Sequence, residues 1–422
     1  MCRVNAKIET LVKLSTFLAA IFILPLVHAE EALVTKALPP MEFPAEFPME
    51  EELLPRVRFW VNIYTLYDSK KTVVHNDKYP EIVYTVIDTE KNPHSFLKIK
   101  RHYIHILNNL ASKQQRLESG ALKPEKLPKE EFEVYQLYAK IHAPEKFAEA
   151  ADPKHVHGQS GLKDTFAESL FISGRYLPRM LKVFENFGLP ADLAYLPFVE
   201  SGFHSVVRST VGAAGMWQFM PYTGKLFLRV DEVVDERNDP MRAAEAAARL
   251  MKQNFDFLKD WPLAITAYNH GANGIANATR VVGTRSIASI IRHYDGKSFG
   301  FASENYYASF LGAIYVAKNA DYFLQNTARA KKLEFDEFVM PDFIDQKDFV
   351  SNMGIKAEDF RELNPALTDL VYTGLRYIPV GYTVRVPVES REDFLTKYEK
   401  IPAILKHDEQ KIDVASADEA LQ

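Results

Sequence analysis

Glu200 is the side chain whose position in the sequence most suggests acid catalysis. It lies in Pro-Phe-Val-Glu-Ser-Gly-Phe-His (197–204), shortly before the glycine-rich stretch Gly-Ala-Ala-Gly-Met-Trp-Gln-Phe-Met (212–220). A carboxyl group placed there can donate a proton if its surroundings keep it protonated near neutral pH. Glutamate is also a common surface residue, so an exposed Glu200 near a helix end is the alternative for this residue taken alone.

The residues around Glu200 predict such surroundings. Apolar residues recur at helical spacing over 191–201, at Leu193, Leu196 and Val199. A glycine follows, so we predict that Glu200 occupies the last turn of a helix. The negative end of the helix dipole and burial among Phe198, Phe203 and Trp217 would both raise the pKa of the carboxyl group. Glu200 is therefore a candidate general acid for protonating a glycosidic oxygen.

Most glycosidases use two carboxylates, so a partner for Glu200 matters. The nearby candidates in the sequence are Asp231, Glu232, Asp235, Glu236 and Asp239. None lies in a recognisable catalytic motif. We predict that Asp239, directly before Pro240, caps a helix, and that 231–236 is a solvated acidic turn.

Three segments occur in the order and spacing of a known enzyme family. They are PFVESGFH (197–204), RSTVGAAGMWQFMPYTG (208–224) and PLAITAYNHGANG (262–274). Together they resemble the soluble lytic transglycosylase (SLT) domain of glycoside hydrolase family 23. The stretch 234–255 resembles the corresponding part of the membrane-bound lytic murein transglycosylase D group. The likeness covers roughly 160–280.

This resemblance implies an enzyme that cleaves the MurNAc-GlcNAc bond of peptidoglycan without water and leaves a 1,6-anhydro end. Glu200 would act first as acid and then as base, and the N-acetyl group of the substrate would stabilise positive charge at C1. The resemblance implies no cofactor. Two rivals stay open: a hydrolytic muramidase of the same fold, and a non-catalytic protein that binds peptidoglycan as a scaffold.

The resemblance also implies which residues bind substrate: Ser201, Ser209, Gly215, Met216, Gln218, Tyr268 and Asn269. Each polar member has a structural alternative. Ser201 could cap the helix end and Ser209 could close a turn. Gln218 could be a polar surface residue, and Tyr268 a core tyrosine with a satisfied hydroxyl.

The glycine-rich stretch and two histidines lead to further expectations. Gly212 and Gly215 permit positive φ and a close backbone approach to a sugar. Met216-Trp217 occupies the positions where many relatives have Leu-Met, so large apolar side chains are retained there. His204 and His270 lack further ligands at metal-binding spacing, so we expect no metal.

The start of the chain predicts export. Basic residues precede an apolar run over 14–27, and Val-His-Ala (27–29) is a suitable cleavage site, so 1–29 resembles a signal peptide. An uncleaved membrane anchor is the alternative. The sole cysteine, Cys2, is not placed as in a lipoprotein. Removing 1–29 changes the net charge from −5 to −7. This acidity argues against nucleic acid as a partner. From the resemblance and the signal peptide, the expected substrate is peptidoglycan glycan strands in the periplasm.

The predicted fold is mainly α, with a lysozyme-like helical catalytic domain between two smaller regions. We expect a linker and accessory region at 30–160, the catalytic domain with a helical extension at 161–335, an α+β module at 336–388 and a charged, fraying tail at 389–422. The module resembles a divergent LysM, a glycan-binding fold, through Leu-Asn-Pro (363–365) and Ile-Pro (378–379). A purely structural appendage is its alternative.

Local patterns predict individual elements. Residues 72–75 and 82–87 favour a β-hairpin, and 97–115 favours a helix. Thr165 and Glu168 form a candidate capping box at the start of a helix that ends at Gly188. The apolar stripe of that helix, expected in the core, is Phe171, Leu177, Met180, Leu181 and Phe184. Residues 286–332 are helical by pattern, and the small residues at 302–320 favour close helix packing.

Overall fold

A computed structural model describes residues 38–388 and 391–411. The predicted signal peptide lies outside these residues. The chain divides into two units, Met1–Pro40 and Met41–Gln422. The first is described only at 38–40, which contain no helix or strand. Everything below concerns the second unit, which is mainly helical, as predicted.

The amino-terminal part of this unit combines helices with a small sheet. Its elements are α1 (Leu54–Thr65), β1 (Lys71–Asn76), β2 (Val83–Asp88), α2 (Phe96–Glu118), α3 (Lys129–Leu137), α4 (Lys146–Ala150) and β3 (Val156–Ser160). The sheet is antiparallel with the order β2-β1-β3. The predicted hairpin and the helix α2 are confirmed. The sequence did not reveal β3, because Val-His-Gly-Gln-Ser has no alternating apolar pattern.

The middle part is helical. Its elements are α5 (Lys163–Asn186), α6 (Pro197–Glu200), α7 (Pro221–Lys225), α8 (Pro240–Leu258), α9 (Trp261–His270), α10 (Ala272–Val282), α11 (Ile287–His293), α12 (Phe301–Lys318) and α13 (Ala320–Phe323), with a 3-10 helix at Ala191–Tyr195. All of these helices except α7 share one hydrophobic core with α1. Nearly every residue of α12 is buried, as expected of a central helix.

Small residues do permit close packing of α12, as predicted. An added Cβ at Gly312 would lie 3.2 Å from the Cβ of Trp60 on α1. The segment before α1 was expected to be a linker, but residues 41–50 pack on this core. Phe47 is fully buried against Phe310 and Trp261.

Two details of α5 were predicted wrongly. The helix begins at Lys163, so Thr165 lies inside it and its hydroxyl donates to the carbonyl of Leu162 instead of capping the end. Phe171 is 46% exposed and is not part of the core stripe. The helix does end where expected, before Gly188, which has a φ of +66°.

The carboxy-terminal part contains β4 (Asp336–Val339), α14 (Gln346–Met353), α15 (Ala357–Leu363), α16 (Asp369–Tyr372), β5 (Thr383–Val386) and α17 (Arg391–Glu399). The part is α+β, as expected, with three short helices between β4 and β5, and the two strands pair antiparallel. This part has its own hydrophobic core, which Val233 and Val234 of the middle part also enter. The predicted fraying tail is wrong for 391–411, because Phe394, Tyr398 and Ile401 are buried in that core.

Candidate active site

Glu200 is the last residue of α6, in the last helical turn as predicted. Pro197 starts this short helix, and Gly202, with a φ of +61°, turns the chain away after it. The carboxyl group faces the central helix α12, where the hydroxyl of Tyr306 donates to Oε1. Glu200 is thus held between two segments that are far apart in the sequence.

Burial raises the pKa of Glu200 to about 7, and the hydrogen bond from Tyr306 opposes this rise. The aromatic residues expected around it are all buried: Phe198 is 6% exposed, and Phe203 and Trp217 are fully buried. The raised pKa is therefore confirmed, with burial as its cause. Among the described residues, burial and the Tyr306 hydroxyl are the two influences on the pKa of Glu200. A second carboxylate is not one of them.

Two tyrosines lie beside Glu200. The rings of Tyr268 and Tyr306 stack with centroids 6.4 Å apart, and the Tyr268 hydroxyl donates to the Trp217 carbonyl at 2.8 Å. Burial, reinforced by the charge of Glu200, raises the pKa of both hydroxyls well above the ordinary value. Both tyrosines are therefore hydrogen-bond donors at neutral pH.

The sequence analysis missed Tyr306. It is one of several hydroxyl-bearing residues in α12, and a buried hydroxyl needs a partner. Nothing in the sequence showed that this partner is Glu200, which is 106 positions away.

The glycine-rich turn is joined to the Glu200 segment by Ser201, whose hydroxyl donates to the Met216 carbonyl at 2.8 Å. Gly215 has a φ of +78°, and a Cβ there would lie 1.6 Å from the carbonyl oxygen of Arg237. The close approach predicted for Gly215 is therefore to the protein backbone. Gln218, with a φ of +47°, donates from Nε2 to the Gly215 carbonyl at 2.7 Å. Its amide thus stabilises the turn.

Other candidate residues have different settings. The side chain of Met216 is fully buried, so only its backbone could contact a substrate. Ser209 accepts a hydrogen bond from the Ala213 N–H at 2.9 Å, which is the turn role left open for it. Asn269 is exposed and accepts from Ser303 at 2.9 Å.

The acidic segment supports the glycine-rich turn. Asp239 caps α8 as predicted, accepting from two backbone N–H groups. Asp235 is only 3% exposed and pairs with Arg237 at 2.8 Å, so the expected solvated turn is wrong at this residue. Arg237 donates in turn to the carbonyls of Gly212 and Phe219, at 3.1 and 3.2 Å. Its guanidinium therefore ties both ends of the turn to Asp235.

Two searches of the described residues bear on ligands and membranes. No group of three or more His, Cys, Asp or Glu side chains in that part of the chain could hold a metal ion. Within the same residues, no helix has both the length and the apolar character needed to cross a membrane.

One family model matches the part of the chain that holds this site. Residues 185–291 match the model of the Transglycosylase SLT domain. The match includes Glu200, the glycine-rich turn and Tyr268, and it ends before Tyr306.

Individual relatives match over shorter stretches. The membrane-bound lytic murein transglycosylase D of Escherichia coli K12 is 36% identical over 94 residues, covering 22% of this chain and 21% of the relative. A putative tributyltin chloride resistance protein of Alteromonas sp. M-1 is 33% identical over 107 residues, covering 24% of this chain and 51% of that protein. The chain thus spans about a fifth of the first relative and about half of the second.

Among solved structures, an inactive mutant of the lytic transglycosylase Slt from Pseudomonas aeruginosa matches with a TM-score of 0.27 and 21% identity. This match covers 35% of the present chain and 25% of that chain.

Proposed function

We propose that this protein is a peptidoglycan lytic transglycosylase that cleaves the MurNAc-GlcNAc β-1,4 bond and forms 1,6-anhydro-MurNAc ends during cell wall turnover. The observation that carries the proposal is Glu200, a partly buried carboxyl group with a pKa of about 7, in the segment that matches the SLT domain. A pKa near neutrality suits a residue that must first give a proton and then take one back.

The hydrogen bond from Tyr306 decides which carboxyl oxygen of Glu200 reacts. Oε1 accepts from the Tyr306 hydroxyl, which leaves Oε2 to carry the proton. Oε2 then protonates the leaving oxygen, and the resulting carboxylate removes the proton from the 6-hydroxyl of MurNAc as that oxygen attacks C1. The N-acetyl group of the substrate stabilises the positive charge between these steps. No water molecule enters the products.

The setting of Glu200 favours this reaction over hydrolysis. A muramidase of this fold would hold a second carboxylate near Glu200, either to activate water or to stabilise positive charge on the sugar. Such a neighbour would raise the pKa of Glu200 by charge repulsion, whereas burial is what raises it. A non-catalytic scaffold protein would have no use for a buried acid held by a dedicated hydroxyl, so the same setting also argues against that rival.

The remaining candidate residues form the proposed substrate site. We assign sugar contacts to the exposed Asn269 and to Tyr268, beside Glu200. Ser201, Ser209, Gly215 and Gln218 shape the groove through the turn contacts described above, and Met216 supports it from beneath.

We further propose that the protein is exported to the periplasm by 1–29. The relative in Escherichia coli is described as membrane-bound, and association of this chain with the membrane through its amino-terminal segment is the alternative. The two-stranded antiparallel sheet of β4 and β5, with helices α14 to α16 between its strands, supports a LysM-like module that binds glycan.

Substitution of Glu200 tests the role of its proton. Glu200→Gln keeps the shape of the side chain and removes the acid, so we expect release of soluble fragments from purified peptidoglycan to fall by at least about 10²-fold. Glu168→Gln is the matched control, because Glu168 is an exposed glutamate on the neighbouring helix α5. Substantial turnover by Glu200→Gln, or an equal loss in Glu168→Gln, would refute the assignment.

A further inference from the structure

A chain of two hydrogen bonds holds the exposed amide of Asn269 from behind. Its Oδ1 accepts from the hydroxyl of Ser303 at 2.9 Å, and Nδ1 of His270 lies 3.1 Å from the same hydroxyl oxygen. Ser303 is only 6% exposed and lies in the first turn of α12, whereas Asn269 and His270 are the last two residues of α9. The chain of hydrogen bonds therefore joins the end of one helix to the start of another.

The direction of these hydrogen bonds follows from the number of hydrogens available. A hydroxyl group has one hydrogen to donate, and Ser303 donates it to Asn269. Nδ1 of His270 must therefore be the donor to the Ser303 oxygen. Burial lowers the pKa of His270, so the ring is neutral near pH 7 and carries a single N–H, which this contact places on Nδ1. Both donors in the chain thus point towards Asn269.

Packing fixes the orientation of the His270 ring. A Cβ added at Gly274 of α10 would lie 2.5 Å from Cδ2 of His270, so the ring occupies space that only a glycine leaves free. On another side the ring meets Phe299 edge-on, with centroids 5.0 Å apart, and Phe299 is itself buried. Since the ring has a fixed orientation, its Nδ1 donor does too.

The chain of hydrogen bonds determines which end of the Asn269 amide can bind a ligand. An asparagine amide can present either its carbonyl oxygen or its NH₂ group. Here Oδ1 is engaged by Ser303, while Nδ2 has no hydrogen-bond partner among the described residues and the side chain is exposed. Resting on the proposed function, we infer that His270 and Ser303 are positioning residues that hold the NH₂ group of Asn269 towards an oxygen acceptor of the glycan strand.

The same helix also positions the candidate acid. Ser303 and Tyr306 are three residues apart on α12, so their side chains share a face of the helix. The Tyr306 hydroxyl donates to Glu200, and the Ser303 hydroxyl donates to Asn269. One face of α12 therefore orients both the carboxyl group and the amide that would contact the strand.

Calorimetric titration of the full-length Glu200→Gln protein with soluble glycan strands, freed of their peptides, measures binding without cleavage. We expect Asn269→Ala to weaken binding roughly fivefold, which is typical of losing one neutral hydrogen bond. His270→Phe should cause a similar loss, because phenylalanine keeps the ring packing and removes the donor. In protein that already lacks the Asn269 side chain, His270→Phe should change Kd by less than about twofold, because His270 acts through Asn269.

Three further variants separate positioning from packing. His270→Asn places an amide N–H close to the position of Nδ1, so it should recover most of the affinity lost in His270→Phe. Ser303→Ala leaves the His270 ring in place and should reproduce the loss. His105→Phe is the control, because His105 is exposed on α2, in the amino-terminal part of the unit, and Kd should not change.

The outcomes distinguish this inference from the proposed function. An equal loss from His270→Phe with and without the Asn269 side chain, or no loss in either background, would overturn the inference. So would a His270→Asn protein that binds as weakly as His270→Phe at an unchanged melting temperature. Cleavage by the unsubstituted protein is scored separately. The expected pattern of binding losses together with uncleaved strands would keep the positioning roles and refute the enzyme assignment.

Discussion

Tyr306 acts on Glu200 in two ways. Its hydroxyl fixes one carboxyl oxygen in place, and the same hydrogen bond lowers the pKa that burial raises. The two effects have different consequences for catalysis, because the first sets geometry and the second sets the pH at which the acid loses its proton. A single substitution can therefore distinguish a positioning role from simple packing.

Replacement of Tyr306 by Phe should shift the pH dependence of activity toward higher pH. Without the hydrogen bond the pKa of Glu200 rises above about 7, so the acid form persists to higher pH and the alkaline limb of kcat shifts in that direction. We also expect kcat at its optimum to fall roughly tenfold as the carboxyl group loses its orientation. The measurement is the rate of release of soluble fragments across a pH series.

The neighbouring tyrosine supplies the control. The hydroxyl of Tyr307 donates to the carbonyl of Pro48. Tyr307→Phe should therefore leave the alkaline limb of the pH profile unchanged. A Tyr306→Phe profile with an unmoved or acid-shifted limb would contradict the role given to this hydroxyl.

The segment 41–50 belongs to the same hydrophobic core as α12. Phe47 packs edge-on against Phe310 of α12, the helix that also carries Tyr306. On the same segment, Glu50 accepts a hydrogen bond from Ser286 at the start of α11. The segment 41–50 thus contacts both α11 and α12 and stabilises their positions.

Truncating Phe47 should destabilise the protein strongly. The side chain is fully buried, so Phe47→Ala is expected to lower the free energy of unfolding by about 3–5 kcal/mol. Urea denaturation followed by circular dichroism measures the change. The exposed Glu46→Ala in the same segment should stay within about 0.5 kcal/mol of the unsubstituted protein. Similar losses in the two variants would show that the segment does not pack as described.

Local sequence was sufficient for features that depend on neighbouring residues. The turn of helix at Glu200, the cap at Asp239 and the hairpin of β1 and β2 were all predicted, because each follows from residues a few positions apart. The raised pKa of Glu200 was also predicted, because the apolar residues near it in the sequence indicated burial.

Features that depend on tertiary packing were not predictable in this way. Phe47 looked like part of a linker, and Phe394 and Tyr398 like part of a fraying tail, because proline and charged residues dominate those segments. Asp235 looked solvated for the same reason, although Arg237 neutralises it in the interior. A local charge pattern does not show which distant core will receive an apolar side chain.

The carboxy-terminal part is joined to the middle part by a buried ion pair. Arg385 of β5 donates to Asp239 at 2.6 Å, and both side chains are less than 10% exposed. The same aspartate caps α8, so one carboxylate serves both parts. The carboxy-terminal part is therefore held in a fixed position against the start of α8.

The decisive measurement is the mass of the glycan ends that the mature protein releases from purified peptidoglycan. If Glu200 directs the 6-hydroxyl of MurNAc to C1, these will be 1,6-anhydro-MurNAc ends, which are lighter than hydrolytic ends by one water. Reducing MurNAc ends in their place would contradict this reaction and make the protein a muramidase. Intact sacculi with bound protein would contradict it in favour of a scaffold.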